Sequence, residues 1–260
     1  MNKDLLELYS DYLLSSFTHV TATGLSAMTG GEVSHDRITR FLASEEMDSR
    51  ALWRLLKPLA RQVEGDDGVL VIDDTIEEKP YTDESELVCW HYEHSKGRSV
   101  KGLNLISALY QAGEVCVPVA FELVKKSGWI FDEKKGKWRR KSLKKQVFKN
   151  EDGTQAVLYL VSSDLTLDYE RITTIYQRRW KVEEYHKSLK SNASLAKSPT
   201  KTIRTQGNHV FASIWAFVKL ERMKLATSMN HFALRSRLCV KADQAAFQEL
   251  QDLRLSQVSA

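Results

Sequence analysis

The sequence predicts a mixed α/β domain with helical ends, and three observations carry that prediction. Apolar residues recur at helical spacing up to Leu59. The β-branched run Val69-Leu70-Val71-Ile72 then follows the turn cluster Gly65-Asp66-Asp67-Gly68 and opens a series of strand candidates. Helical patterns return from Tyr169 onward. Strands first and helices afterwards point to helices layered on a sheet.

Each element has its own signal. Leu5, Leu6, Leu8, Tyr9, Tyr12, Leu13 and Leu14 form one helical stripe, and Leu52, Trp53, Leu55, Leu56 and Leu59 form another. Between them, Leu25 to Gly31 and Val33 to Leu42 resemble a helix-turn-helix. The glycines make the turn, Ser34 caps the second helix, and Arg37 and Arg40 lie on it as candidate DNA contacts. Helix-Gly-helix patterns also occur in proteins that touch no DNA. Further strands are predicted at Val100 to Tyr110, at Val115 to Val124 and at Ala156 to Ser162; Pro118 makes the second of these bulged or an edge. A single long helix is expected from Tyr169 to Lys190, and another from His209 to about Met229.

Composition narrows the class. The chain has 260 residues, 42% hydrophobic and 28% charged, which excludes disorder and leaves room for a sizeable core. No stretch approaches the roughly 18 apolar residues of a membrane span, and the first residues lack the pattern of a signal peptide, so a cytoplasmic location is expected. Three cysteines without a C-x-x-C pair argue against a disulfide framework. Cys89, His91 and His94 could hold zinc only with a fourth ligand, which is not evident nearby.

Charge is segregated along the chain. Ten acids and one base, Lys79, lie between Glu64 and Glu86, whereas Lys125 to Lys149 carries eleven bases against Asp132 and Glu133. Acids beside an apolar strand and bases elsewhere suggest a carboxylate metal site within a surface that attracts phosphates. Lopsided solvated loops would give the same composition.

On one continuous helix, Tyr176, Arg179, Glu183 and Lys190 would share a stripe, at about 0°, −60°, −20° and −40°. A carboxylate flanked by an aromatic, a guanidinium and an ammonium could bind a metal ion while its neighbours hold phosphate oxygens. His186 beside it would contact DNA or face solvent.

The spacing Tyr-x2-Arg-x3-Glu-x6-Lys at these four positions resembles the signature of bacterial cut-and-paste transposases of the insertion-sequence-four type. Val69 to Thr75, Lys79-Pro80-Tyr81 and Gly102-Leu103-Asn104 resemble the first half of that family's catalytic domain. The resemblance implies a ribonuclease-H-like fold with an Asp-Asp-Glu triad, two Mg²⁺ (or Mn²⁺) ions, and double-stranded DNA at transposon ends as substrate. It implies Asp73 or Asp74 as the first carboxylate and Glu183 as the third, both on the metal, with Tyr176, Arg179 and Lys190 as phosphate contacts. A homodimer, or a heterodimer with a full-length transposase, is the implied assembly, in a bacterial nucleoid-associated setting.

The middle of the chain departs from that pattern. Asp164, after Leu158-Tyr159-Leu160-Val161-Ser162-Ser163, is a candidate second carboxylate, yet a comparable acid in relatives follows the family's inserted segment and is not catalytic. Asp132 is followed by Glu-Lys-Lys-Gly, which reads as a turn. The expectation is an internal deletion between about Ser142 and Gln146 that removed the second Asp. The predicted regions are a helical DNA-binding part over 1–63, an incomplete ribonuclease-H-like core over 64–192 and a helical part over 193–260.

Overall fold

Four helices open the chain, each begun by a short polar side chain that satisfies a free N–H of the first turn. They are α1 (Lys3–Ser15), α2 (Ala22–Met28), α3 (His35–Ala43) and α4 (Ser49–Gln62). Asn2, Thr21, Ser34 and Asp48 accept from Leu5, Gly24, Arg37 and Ala51 N–H respectively. Gly30 and Gly31, at φ +60° and +84°, turn the chain between α2 and α3 in a conformation that side chains rarely adopt. The helix, glycine turn and capped second helix of the sequence reading are therefore all present. The computed structural model describes residues 1–66, 68–93, 96–126, 128–132, 136–140 and 169–258. The predicted strand at Ala156 to Ser162, the join near Ser142 and Asp164 lie outside these residues.

Strand β3 (Arg98–Ala112) is the spine of a four-stranded sheet. Along one side it pairs antiparallel with β1 (Val69–Glu78), from Val69 opposite Gln111 to Glu78 opposite Gly102. Along the other it pairs with β2 (Cys89–Glu93) and then β4 (Val115–Leu123), also antiparallel. The expected irregularity at Pro118 is found: the register slips between Ala108 and Leu109, whose partners are Ala120 and Pro118. Gly102 is demanded by packing, since a Cβ there would run into the main-chain carbonyl of Glu77 across the ladder. A separate hairpin joins β5 (Trp129–Asp132) to β6 (Lys137–Arg140), with Asp132 opposite Lys137.

Side chains alternate along β1, as a strand with two unlike faces requires. Val71, Asp73 and Thr75 stand opposite Leu109, Ser107 and Leu105 of β3, all three of which are buried. Leu70 and Ile72 point the other way and remain 61% and 64% exposed. Among the described residues no strand pairs with the second edge of β1.

The single helix expected from Tyr169 to Lys190 is two helices, α5 (Tyr169–Gln177) and α6 (Trp180–Ser191). The chain tightens between them, with Arg179, Lys181 and Val182 N–H each bonding the carbonyl three residues back at 3.0 Å. In α5, the Thr173 and Thr174 hydroxyls both donate to Glu170 O, a competition with main-chain bonding that favours a bend. Tyr176 is thus not in helical phase with Glu183. Val182, Tyr185 and Leu189 bury α6 against the body, and the Tyr185 hydroxyl lies 3.4 Å from Ser107 Oγ of β3.

A 3₁₀ turn at Leu195–Lys197 leads into α7 (Ile203–Thr227) and α8 (His231–Val258). The start of α7 precedes the expected His209 because Thr202 caps it through Thr205 N–H, and its polar first turn carries no apolar period. Phe211, Ile214, Phe217 and Val218 of α7 are at most 2% exposed. The helix is the common wall of the molecule: α1 and α3 pack on it, and so does β4, whose Phe121 meets the Phe211 ring edge-on at 6.1 Å. The amino- and carboxy-terminal helices therefore share one core with the sheet. No described helix is long and apolar enough to cross a membrane.

Candidate functional site: the cavity between β1 and α6

Two elements predicted from opposite ends of the core meet at one cavity of about 560 Å³. From β1 it is lined by Asp73, Asp74, Thr75 and Ile76, and from α6 by Arg179, Glu183, His186, Lys187 and Lys190. Tyr92, Glu93 and Lys96 close the β2 end. The strand reaches this position because ten consecutive rungs fix its register on β3, and the helix because its apolar side is buried.

The carboxylates differ in their support. Asp74 Oδ2 accepts from Asn104 Nδ2 at 2.9 Å, a bond set by register: Asn104 stands opposite Ile76, on the same face as Asp74 and one same-face step away. This gives a physical role to the Gly-Leu-Asn motif, Gly for close approach of the strands and Asn to orient an acid. Asp73 faces the opposite way, opposite buried Ser107. Glu183 is half-exposed, with Arg179 Nη2 3.8 Å from its Oε1. Lys190 donates to the Ile76 carbonyl at 2.7 Å and so ties the end of α6 to β1.

His186 is a correction to the sequence reading. It is buried, not solvated, and its Nε2 has no hydrogen-bond partner among the described residues. Burial, with help from the Lys190 charge and against the pull of Asp74, lowers its pKa to about 4, so the ring is neutral near pH 7. Its place three residues after Glu183 puts it on the cavity side of α6, but its burial follows from how that helix is rotated. The nearby Glu77 carboxyl is held above the usual range by burial, against the opposing charges of Lys190 and Lys79.

Other predicted residues sit elsewhere. Arg37 and Arg40 are exposed on α3, and Arg40 Nε donates to Asp36 O at 3.3 Å. Tyr176, at the end of α5, is not among the residues lining the cavity. Asp132 closes β5 in the separate hairpin, as expected of a turn residue and not of a core strand end. Lys79 of the Lys-Pro-Tyr motif donates to Ala196 O at 2.8 Å and so binds the end of β1 to the 3₁₀ turn. Cys89 Sγ and His91 Nε2 are 3.3 Å apart within β2.

A divalent-ion site can be tested against these side chains. A two-ion centre needs carboxylates converging within a few ångströms from at least three positions. Among the described residues no three Asp, Glu, His or Cys side chains gather closely enough to hold a metal ion. The cavity offers acids from β1, Glu93 from β2 and Glu183 from α6, but among the described residues no three of them gather on one point, and this set does not fit a two-ion site.

Comparison with known proteins places the chain. No curated protein and no solved structure matches it. The sequence profile of the family described as DDE superfamily endonuclease matches residues 2–169, from the first helix through β1 with Asp73 and Asp74 to the start of α5. The matched stretch ends before α6 and Glu183. With the mixed α/β fold, whose antiparallel sheet carries adjacent acids on its edge strand, and with most of its length matched, the chain belongs to the DDE superfamily endonucleases.

Proposed function

We propose that this chain is an insertion-sequence transposase of the insertion-sequence-four type, internally shortened and impaired in DNA strand cleavage and transfer. The observation that carries the reading is the convergence of β1 and the Glu183 helix on one cavity. Asp73 or Asp74 stands for the first carboxylate of the triad and Glu183 for the third, and Mg²⁺ or Mn²⁺ is the ion that the complete set would take. Arg179 and Lys190 face the same space, and with Tyr176 they take phosphates of the transposon end. Arg37 and Arg40 on the glycine-turned α3 touch duplex DNA, so residues 1–63 form the DNA-binding part, 64–192 the catalytic core and 193–260 the helical remainder.

The shortening falls between about Ser142 and Gln146 and has removed the second Asp. A phosphoryl-transfer site short of one of its three carboxylates loses much of its transition-state stabilisation. The absence of a third converging acid among the described residues favours a companion reading in which the chain binds transposon ends without cutting them. It then competes with a full-length relative or joins its dimer.

Plasmid nicking with Mg²⁺ or Mn²⁺ on DNA carrying the cognate ends separates the two. The expected result is DNA retention that falls steeply with salt, with cleavage absent or barely detectable. Efficient double-strand cleavage abolished by Glu183→Gln would show that another acid, Asp164 foremost, completes the site.

A further inference from the structure

Ser188, Glu221 and His231 come from three helices, α6, α7 and α8, and meet at a second cavity, of about 400 Å³. Five residues along α6 turn Ser188 about 140° away from Glu183. All three side chains are buried.

A serine inside a helix commonly gives its proton to a carbonyl three or four residues back. Ser10 and Ser15 do so, at 2.7 Å to Leu6 O and 3.0 Å to Asp11 O. Among the described residues Ser188 has no such bond. Its Oγ accepts from Asn192 Nδ2 at 3.1 Å and lies 2.8 Å from His231 Nδ1, so the hydroxyl proton is directed at the imidazole. With Nδ1 accepting, the ring proton sits on Nε2, which is 3.1 Å from Glu221 Oε1 and off the straight line of a full hydrogen bond. Catalytic contacts of this kind are often loose until substrate binds. Glu221 is itself fixed, 3.2 Å from the Lys224 ammonium and accepting from Cys116 N–H of β4 at 3.4 Å. The Phe217 ring packs edge-on against His231, with 5.0 Å between centroids. A hydroxyl that gives to an imidazole, itself backed by a carboxylate, is the order of contacts that makes a serine nucleophilic.

The same cavity has donors for developing negative charge. Asn230, His231 and Phe232, at the amino end of α8, all line it. Asn230 takes up the N–H groups of Ala233 and Leu234, whereas those of His231 and Phe232 have no acceptor among the described residues. Free N–H groups at the positive end of a helix suit an oxyanion. Lys187, with its ammonium 5.3 Å from the Phe232 ring centroid, adds a positive charge.

We propose that this cavity is a serine-nucleophile site that hydrolyses small carboxylic esters, with Ser188 as nucleophile, His231 as base and Glu221 as the positioning residue that orients the imidazole. Ser188 Oγ bonds to the acyl carbon as its proton passes to His231 Nδ1. The ester C–O bond breaks, and the alcohol leaves with that proton. Water then gives a proton to Nδ1 while its oxygen bonds to the acyl carbon. The bond to Ser188 Oγ breaks, the hydroxyl regains its proton, and the acid departs. One ester and one water become one acid and one alcohol, and the balance requires no further reactant. Tyr185 and Phe232 beside the nucleophile suit an apolar or aromatic acyl group, and the cavity has the size of a small-molecule site. It shares none of Asp73, Asp74 and Glu183, so the inference stands apart from the proposed nuclease role.

Hydrolysis of p-nitrophenyl acetate and p-nitrophenyl benzoate by the full chain, with fluorophosphonate labelling mapped by mass spectrometry, tests this. The expected results are a burst of p-nitrophenol, an adduct on Ser188, and a loss of about 100-fold in kcat/KM in Ser188→Ala and in His231→Gln. Glu221→Gln should lower kcat about tenfold and leave KM unchanged, the mark of a group acting through His231. In Ser188→Cys the new thiol should be alkylated by iodoacetamide faster than Cys239. An unmodified chain that shows neither turnover nor an adduct on Ser188 would overturn the proposal, whether or not a substitution disturbs folding. So would ester hydrolysis unchanged in Ser188→Ala.

Discussion

The α7 wall and the free side of β1 both present apolar residues and differ in nearly every other respect. Around α7, Phe211, Phe217 and their neighbours are sealed and Asn208 is fully engaged: it accepts from Met47 N–H and donates to Leu42 O and Glu45 O. On β1, Leu70 and Ile72 stand open, the second edge has no described partner, and the acids of the cavity do not converge on an ion site. The difference teaches that the scaffold and the chemistry occupy separate parts of the molecule. The core that holds the elements in place is sealed, whereas the cavity they frame is open and polar.

The contrast can be tested by substitution. Phe217→Ala should have the largest effect, a loss of about 3–5 kcal/mol measured by urea unfolding, because the ring is sealed among Tyr185 and His231. If the loss were under about 1 kcal/mol, the α7 wall would not be the principal source of stability.

Acid should come next. Burial lowers His209 to about 4 from 6.5, and the ring is neutral in a pocket where it meets the Tyr9 hydroxyl and the Ser194 and Leu195 carbonyls. The unfolded chain gains a proton on this residue as pH drops through 6.5, whereas the folded chain does so only near 4. The stabilisation is therefore complete above pH 6.5 and disappears as pH falls toward 4. At about 1.4 kcal/mol per pH unit this amounts to roughly 3 kcal/mol. The unfolding midpoint should drop across that window and drop less in His209→Gln; equal pH dependence in both proteins would contradict the assignment.

The smallest effect belongs to the free side of β1. Ile72→Thr should change stability by no more than about 0.5 kcal/mol, since the side chain is 64% exposed and threonine suits a strand. A destabilisation near that of Phe217→Ala would mean that something covers this face in solution.

Much of this was legible because local rules and tertiary packing agreed. The caps at Ser34 and Asp48, the glycine turn, the strand after Gly68 and the slip at Pro118 follow from residues whose preferences no contact overrides. The break between α5 and α6 was hidden because Gln177-Arg178-Arg179 contains no helix breaker; hydroxyl competition upstream and the burial of Val182 and Tyr185 decide it. At the site, the meeting of β1 and α6 was implied by the family resemblance that the spaced signature and Val69 to Thr75 carry. The bond from Asn104 to Asp74 depends on register across a strand pair, and the burial of His186 depends on how α6 is rotated, neither of which a linear pattern displays.

The bond from Lys190 to the Ile76 carbonyl has one more consequence. An ammonium has three protons to give, and among the described residues this one commits a single proton, to the Ile76 carbonyl. A lysine in solution samples many rotamers, and fixing its stem costs on the order of 2 kcal/mol of side-chain entropy. Here folding has already met that cost. An anion entering the cavity encounters a positive charge held at a known point with two protons still to offer, and binding it requires no search by the side chain.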